Sequence, residues 1–184
     1  MAAPLIDRAW ATERLRVRDA QPTDVPRLTA IFNACSYAGE WDDTFTVVPE
    51  SDVAALAAKS AQARGGCSSE PFTLQCLCDT ASDEIIGYYH LTYRRPLENQ
   101  VGVSMLVLDP AHQGRGFGAE AVRGIVAGLE ALRSYRALVA KVYLKNWPAM
   151  RFWIGMGFTT VLRYLGDPVM AEGAYASILL ERPL

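Results

Sequence analysis

The run Gln113-Gly114-Arg115-Gly116-Phe117-Gly118 constrains this chain more than any other stretch. Before it, Val101 to Leu108 reads as a strand. After it, Gly118, Val122, Ile125, Leu129 and Leu132 recur at spacings of four and three, one face of a helix ending near Arg133. Three alternate glycines at such a junction let the backbone turn tightly and let a ligand meet the peptide planes. The helix start adds unpaired N–H groups and the positive end of the dipole, and Arg115 adds a cation. A strand, glycine loop and helix in this order form an anion site, most naturally for a phosphate or pyrophosphate.

The rest of the chain supplies a sheet around that unit. Leu15 to Arg18, Phe72 to Cys78, Ile85 to Tyr93, Leu138 to Leu144, Phe158 to Leu165 and Tyr175 to Leu180 read as strands. Thr23 or Asp24 caps a helix carrying Val25, Leu28, Ile31 and Phe32. Ser51 or Asp52 caps another, stopped by Gly65-Gly66. Pro148 suits the first turn of a helix through Ile154. Between the first two helices, Ser36 to Pro49 mixes Tyr37, Trp41 and Phe45 with Glu40, Asp42 and Asp43, a loop or broken helix able to line a site. The expected order is β α α β β β α β α β β: an α/β to α+β chain, a mixed sheet with helices on both faces. No linker or repeat divides it, so residues 1–184 are expected to form one domain.

Composition narrows the partners. Lys plus Arg total 18 and Asp plus Glu total 20, so bulk charge argues for neither a nucleic acid nor a membrane. No apolar run reaches the ~18 residues of a membrane span, and Met1 to Trp10 is not a secretory signal. Cys35, Cys67, Cys76 and Cys78, with His90 and His112, show no metal-ligand spacing. Reduced thiols in a cytoplasmic protein are the expectation, with Cys76 and Cys78 on one face of a strand.

Two common phosphate motifs fit poorly. No Lys-Ser or Lys-Thr follows the glycines, so this is not a Walker A loop. Gly114, Gly116 and Ala119 match a dinucleotide fingerprint, but Asp109 to Gln113 separate them from the strand. The following strand ends Leu144-Lys145-Asn146, without the carboxylate that fingerprint needs. Leu106 to Gly118, with Gln113, Gly116 and Gly118 at the key places, instead resembles the acetyl-CoA signature of the GNAT acyltransferase superfamily. Asn146, Ala149, Phe152, Trp153, Gly157 and Phe158 resemble that family's second motif, and the likeness runs from about 14 to 182.

The resemblance implies a mixed, mostly antiparallel sheet splayed in a V. Acetyl-CoA would enter between the strands ending at Leu108 and Leu144. It implies that backbone N–H groups of Gly114, Arg115, Gly116, Phe117 and Gly118, with Gln113, hold the pyrophosphate. The backbone of Leu106 and Leu108 would pair with the pantetheine arm and polarise the thioester. Asn146 would bond the pantetheine, although it also reads as a helix cap before Pro148. The reaction implied is direct attack by a primary amine of a small molecule. Such an amine is mostly protonated at neutral pH, so a base must take its proton. Glu40, Asp42, Asp43, Glu98 and His90 are candidates, with Glu40 and His90 ranked first, and acids beside aromatics suit a cationic acceptor. Trp153 stands where the family often has a proton-donating Tyr. It reads as cleft wall, with Tyr143 or Tyr164 as substitute donors, and it leaves a non-catalytic CoA-binding module as the alternative. The family often dimerises, so a homodimer is a further expectation.

Overall fold

The computed structural model describes residues 3–42, 44–169 and 171–184. Eight strands form one sheet: β1 (Ala9–Ala11), β2 (Leu15–Asp19), β3 (Phe72–Asp79), β4 (Ile85–Tyr93), β5 (Gln100–Leu108), β6 (Ala137–Tyr143), β7 (Thr160–Gly166) and β8 (Ala176–Pro183). Their spatial order is β1-β2-β3-β4-β5-β6-β8-β7, and every neighbouring pair is antiparallel except β5 and β6. Four α-helices cover it: α1 (Val25–Ala34), α2 (Glu50–Arg64), α3 (Phe117–Leu132) and α4 (Trp147–Gly155). No helix among the described residues is long and apolar enough to cross a membrane.

Strand alternation gives the sheet two apolar faces. On one, Leu28 and Ile31 of α1 and Val53 of α2 pack against Leu74, Cys76 and Tyr88. On the other, Val122, Ile125 and Leu129 of α3, with Met150 and Trp153 of α4, pack against Leu77, Tyr89 and Leu138. Ile125 and Leu129 are wholly buried, each contributing about 1.5–3 kcal/mol of hydrophobic stabilisation. Cys76 and Cys78 share a face as expected, and the four cysteines are free.

Three local expectations need correction. Sequence pattern misses β1, because three residues cannot establish an alternation. It is fixed by pairing with β2 and by Trp10, whose indole N–H lies 3.3 Å from the Tyr89 hydroxyl and 3.4 Å from Gln75 Oε1. Asp24 does not cap α1 with its side chain. Its carboxylate takes both guanidinium nitrogens of Arg18, at 2.7 and 2.9 Å, and the Gln21 N–H at 2.7 Å. Helix α2 begins one residue ahead of Ser51, with Pro49 at its cap position, so neither Ser51 nor Asp52 caps it.

The site follows from one interruption. β5 and β6 pair only from Gln100–Val103 to Ala137–Ala140. On the other side of β5, His90 pairs with Met105 and Leu91 with Val103, leaving Ser104 as an extra residue. Such a bulge bends and twists its strand. The bend coincides with the point where β5 leaves β6, and beyond it the sheet opens as a wedge.

Candidate functional site

The wedge presents backbone along one edge. The Asp109 N–H donates to the Ile86 carbonyl at 2.8 Å, toward β4. By the alternation of an antiparallel ladder, Leu106 and Leu108 turn their own N–H and C=O groups the other way, toward β6. The Gln113 side-chain amide donates to the Leu108 carbonyl at 2.9 Å and stands 2.6 Å from the Tyr37 hydroxyl. Gln113 thus ties the end of β5 to the connection between α1 and α2.

The glycine loop sits at the mouth. A short 3-10 turn, Pro110–His112, leads into it. Asp109 holds that turn by accepting the Ala111 N–H at 3.0 Å and pairing with Arg27 at 2.8 Å. The Ala111 N–H, with the Arg27 guanidinium, keeps the Asp109 carboxyl below its ordinary pKa. Gly114 and Gly116 adopt φ of +70° and +87°, the left-handed region, and Gly116 is the residue before α3. Glycine occupies that region without the strain a Cβ would bring. Phe117 turns its ring into the core, so only its backbone is available to a ligand.

Arg14, from the turn before β2, braces the loop from behind. It donates to the Arg115 carbonyl at 3.1 Å and pairs with Glu120 of α3 at 2.7 Å. Glu120 also accepts the Arg14 N–H at 2.9 Å and the Thr12 hydroxyl. Burial opposes ionisation of Glu120, but these bonds outweigh it and hold its pKa below the ordinary glutamate value. Sequence pattern gave no sign of this brace, because 106 residues separate its partners.

The other wall carries groups that the sequence reading treated singly. Ala140 and Val142 of β6 are buried in the α3 core, so Lys141 and Tyr143 face the α1–α2 side. Lys141 Nζ is 3.2 Å from the Tyr143 hydroxyl. Asp42, from the α1–α2 connection, comes to the same place. Burial works against its charge, yet Thr44, the Tyr143 hydroxyl and Lys141 hold its pKa below the ordinary aspartate value. Lys141 and Lys145 are charged side chains of this wall that the sequence pattern did not single out. The only signal was their position on and just after the strand bordering the expected cleft. Asp43 lies outside the described residues.

The remaining candidates are scattered. Glu40 ends an exposed 3-10 segment, Ser36–Glu40, in the α1–α2 connection. Glu98 is removed from the site: it is exposed in the turn before β5, at the end opposite Leu108, beside Arg94. Tyr164 is 74 % exposed on edge strand β7. Asn146 caps α4, accepting the Ala149 N–H at 3.0 Å through Oδ1. Trp153 packs edge-on between Phe152 and Phe158, with ring centroids at 5.1 and 4.8 Å.

His90 lies on β4 with its ring 5.3 Å from that of Phe72, and its Nδ1 is enclosed without a partner among the described residues. Burial, with the charge of Lys59 adding to it, lowers its pKa to about 4. A ring held neutral to that pH is a weak acceptor for an amine proton. It does make stability pH-dependent. The unfolded imidazole binds a proton near pH 6.5 and the folded one only near 4, so stability falls as pH drops through that window. The expected loss by pH 5 is about 2 kcal/mol. Thermal melts at pH 7 and pH 5 check this: His90→Gln should lose several degrees less than the unsubstituted protein.

A family profile for the GNAT acetyltransferase domain matches residues 14–159. Among solved structures, an acetyltransferase from Thermus thermophilus is 25% identical, over 93% of this chain and 97% of that one, with a TM-score of 0.69. The ribosomal-protein-S5-alanine acetyltransferase from Vibrio fischeri has a TM-score of 0.76 at 15% identity, over 96% and 97% of the two chains. YncA from Salmonella typhimurium, solved with its cofactor acetyl-CoA, has a TM-score of 0.70 at 18% identity, over 93% and 94%. A search of curated sequences returns no match.

Proposed function

Because the chain belongs to the GNAT acetyltransferase family, and so uses acetyl-CoA to acetylate an amine, we propose that its residues carry out the transfer by direct attack in a ternary complex. The observation that carries this reading is the wedge, where β5 leaves β6 after Val103 and turns the Leu106 and Leu108 backbone toward the opening. A cradle of two left-handed glycines at the mouth fits the pyrophosphate of the same molecule. The thioester supplies the activated acetyl group. The Leu106 N–H donates to the carbonyl oxygen as charge develops there, an effect of about 2.7–4 kcal/mol for one well-placed donor. Gly114 to Gly118 hold phosphate through backbone N–H groups, and the Asn146 amide nitrogen faces the pantetheine arm while its oxygen caps α4.

Glu40 in the α1–α2 connection, directly or through water, is the group we place to receive the amine proton. Asp42, with its lowered pKa, is better suited to attract a cation than to hold a proton. Cys35 is the thiol nearest the wedge, 3.6 Å from the Leu108 carbonyl, and burial raises its pKa. It therefore stays a thiol and a poor nucleophile, which favours direct transfer. Four free cysteines suit a reducing, cytoplasmic setting.

Thiol release from acetyl-CoA with a panel of amines tests the activity, and intact mass after acetyl-CoA alone tests the route. The expected results are amine-dependent release and no adduct. A covalent acetyl group removed by added amine would overturn direct transfer. For Trp153 we place an indole packed in the core near the sulfur end of the arm. Trp153→Phe should then lower kcat less than tenfold, whereas removing a general acid typically costs ~10²–10⁴-fold. A loss beyond a hundredfold, with the circular dichroism spectrum and acetyl-CoA affinity unchanged, would make the indole N–H part of the chemistry.

A further inference from the structure

The chain has three lysines. Lys59 is paired with Glu70 at 2.7 Å, on α2. The other two lie on β6 and just after its end. Lys141 Nζ lies 4.6 Å from the ring centre of Tyr143, and Lys145 Nζ lies 4.4 Å from that of Tyr175. Tyr143 pairs with Ser177 across β6 and β8, so Tyr175, two residues before Ser177, lies on the side of β6 away from β5. Neither ammonium forms an ion pair among the described residues. An aromatic face holds a cation in place but does not neutralise it. Asp42, the carboxylate beside Lys141, already accepts from Thr44 at 2.6 Å and 3.0 Å.

Building on the acetyltransferase reading above, we propose that Lys141, supported by Lys145, binds a carboxylate of the acceptor, so that the acceptor is an amine that also carries an acid group, an α-amino acid being the simplest case. The acids of the α1–α2 connection alone would favour a purely cationic amine. Lys141, on the β6 wall beside Asp42, reverses that preference. Asp42 faces the ammonium form of the acceptor nitrogen, and the two lysines face its acid.

The experiment is thiol release from acetyl-CoA with matched acceptors: L-amino acids, their carboxamides, and the corresponding amines without the carboxyl group. The expected result is a kcat/KM at least tenfold higher for the acids. Lys141→Met should bring that ratio toward one, mainly through KM, and Lys141→Arg should retain most of it. Equal or better use of the carboxamides and plain amines overturns the proposal and leaves the acetyltransferase reading standing. An unchanged ratio in both Lys141→Met and Lys145→Met also overturns it. No release with any acceptor, measured on protein that still gives an acetyl-CoA thermal shift, overturns the proposal and the small-amine reading together.

Discussion

Gly116→Glu is expected to abolish acetyl-CoA binding while leaving the protein folded. Gly116 has a φ of +87°, where an L side chain costs roughly 1–2 kcal/mol. A Cβ there would stand 3.3 Å from Arg14 Nη2, against the residue that braces the loop. The carboxylate would place negative charge where we assign the pyrophosphate. We expect at least a hundredfold loss of affinity, about 2.7 kcal/mol, read as disappearance of the acetyl-CoA thermal shift. Gly116→Ala separates the causes, because it carries the strain without the charge and should weaken binding about tenfold or less. A glutamate variant with the native circular dichroism spectrum and a full shift would remove the pyrophosphate from this loop.

Glu120→Ala should be the most destabilising of these changes. Glu120 is 9 % exposed and collects the Arg14 guanidinium, the Arg14 N–H and the Thr12 hydroxyl. Breaking a buried ion pair from one side typically costs ~3–5 kcal/mol. The Arg14 side chain is 43% exposed and regains water, so the lower part of that range, about 2–3 kcal/mol, is expected. In a chain of this size that is roughly 5–10 °C in Tm. The contribution has a pH sign. The folded carboxyl has a lowered pKa, so its stabilisation is present above the ordinary glutamate value and is lost as pH falls through the folded one. Acetyl-CoA affinity should fall as well, because Arg14 also holds the Arg115 carbonyl. Melting within 2 °C of the unsubstituted protein would show that the brace carries little of the fold.

Features encoded over short sequence distances were legible. The glycine loop, the face of α3 and the long strands follow from local periodicity, and each falls within a few residues of its expected place. Features encoded by pairing were not. β1 exists because β2 lies beside it, and the Arg14–Glu120 brace joins distant segments. Asp24 has the right residue type for a cap, yet Arg18 takes its carboxylate. His90 gave the clearest lesson about the site: its residue type suggests proton transfer, while its place under Phe72 determines its charge. Lys141 and Tyr143 look like ordinary strand residues until the alternation of β6 is anchored by buried Ala140 and Val142.

The divergence of β5 and β6 also works as a gauge of thickness. At Val103 and Ala140 the strands are one hydrogen-bonding step apart, about 4.8 Å. An inserted chain needs two such steps, so it can advance only as far as the opening has widened to about 10 Å. A polypeptide strand would also have to fit side chains above and below the sheet, among Met105, Val107 and Lys141 on one face and Leu106, Leu108 and Val142 on the other. The β-alanine and cysteamine end of the pantetheine arm, which carries no side chains, meets no such obstacle. Two unsatisfied strand edges, which on an outer rim would invite other proteins to add on, are therefore guarded by their own convergence.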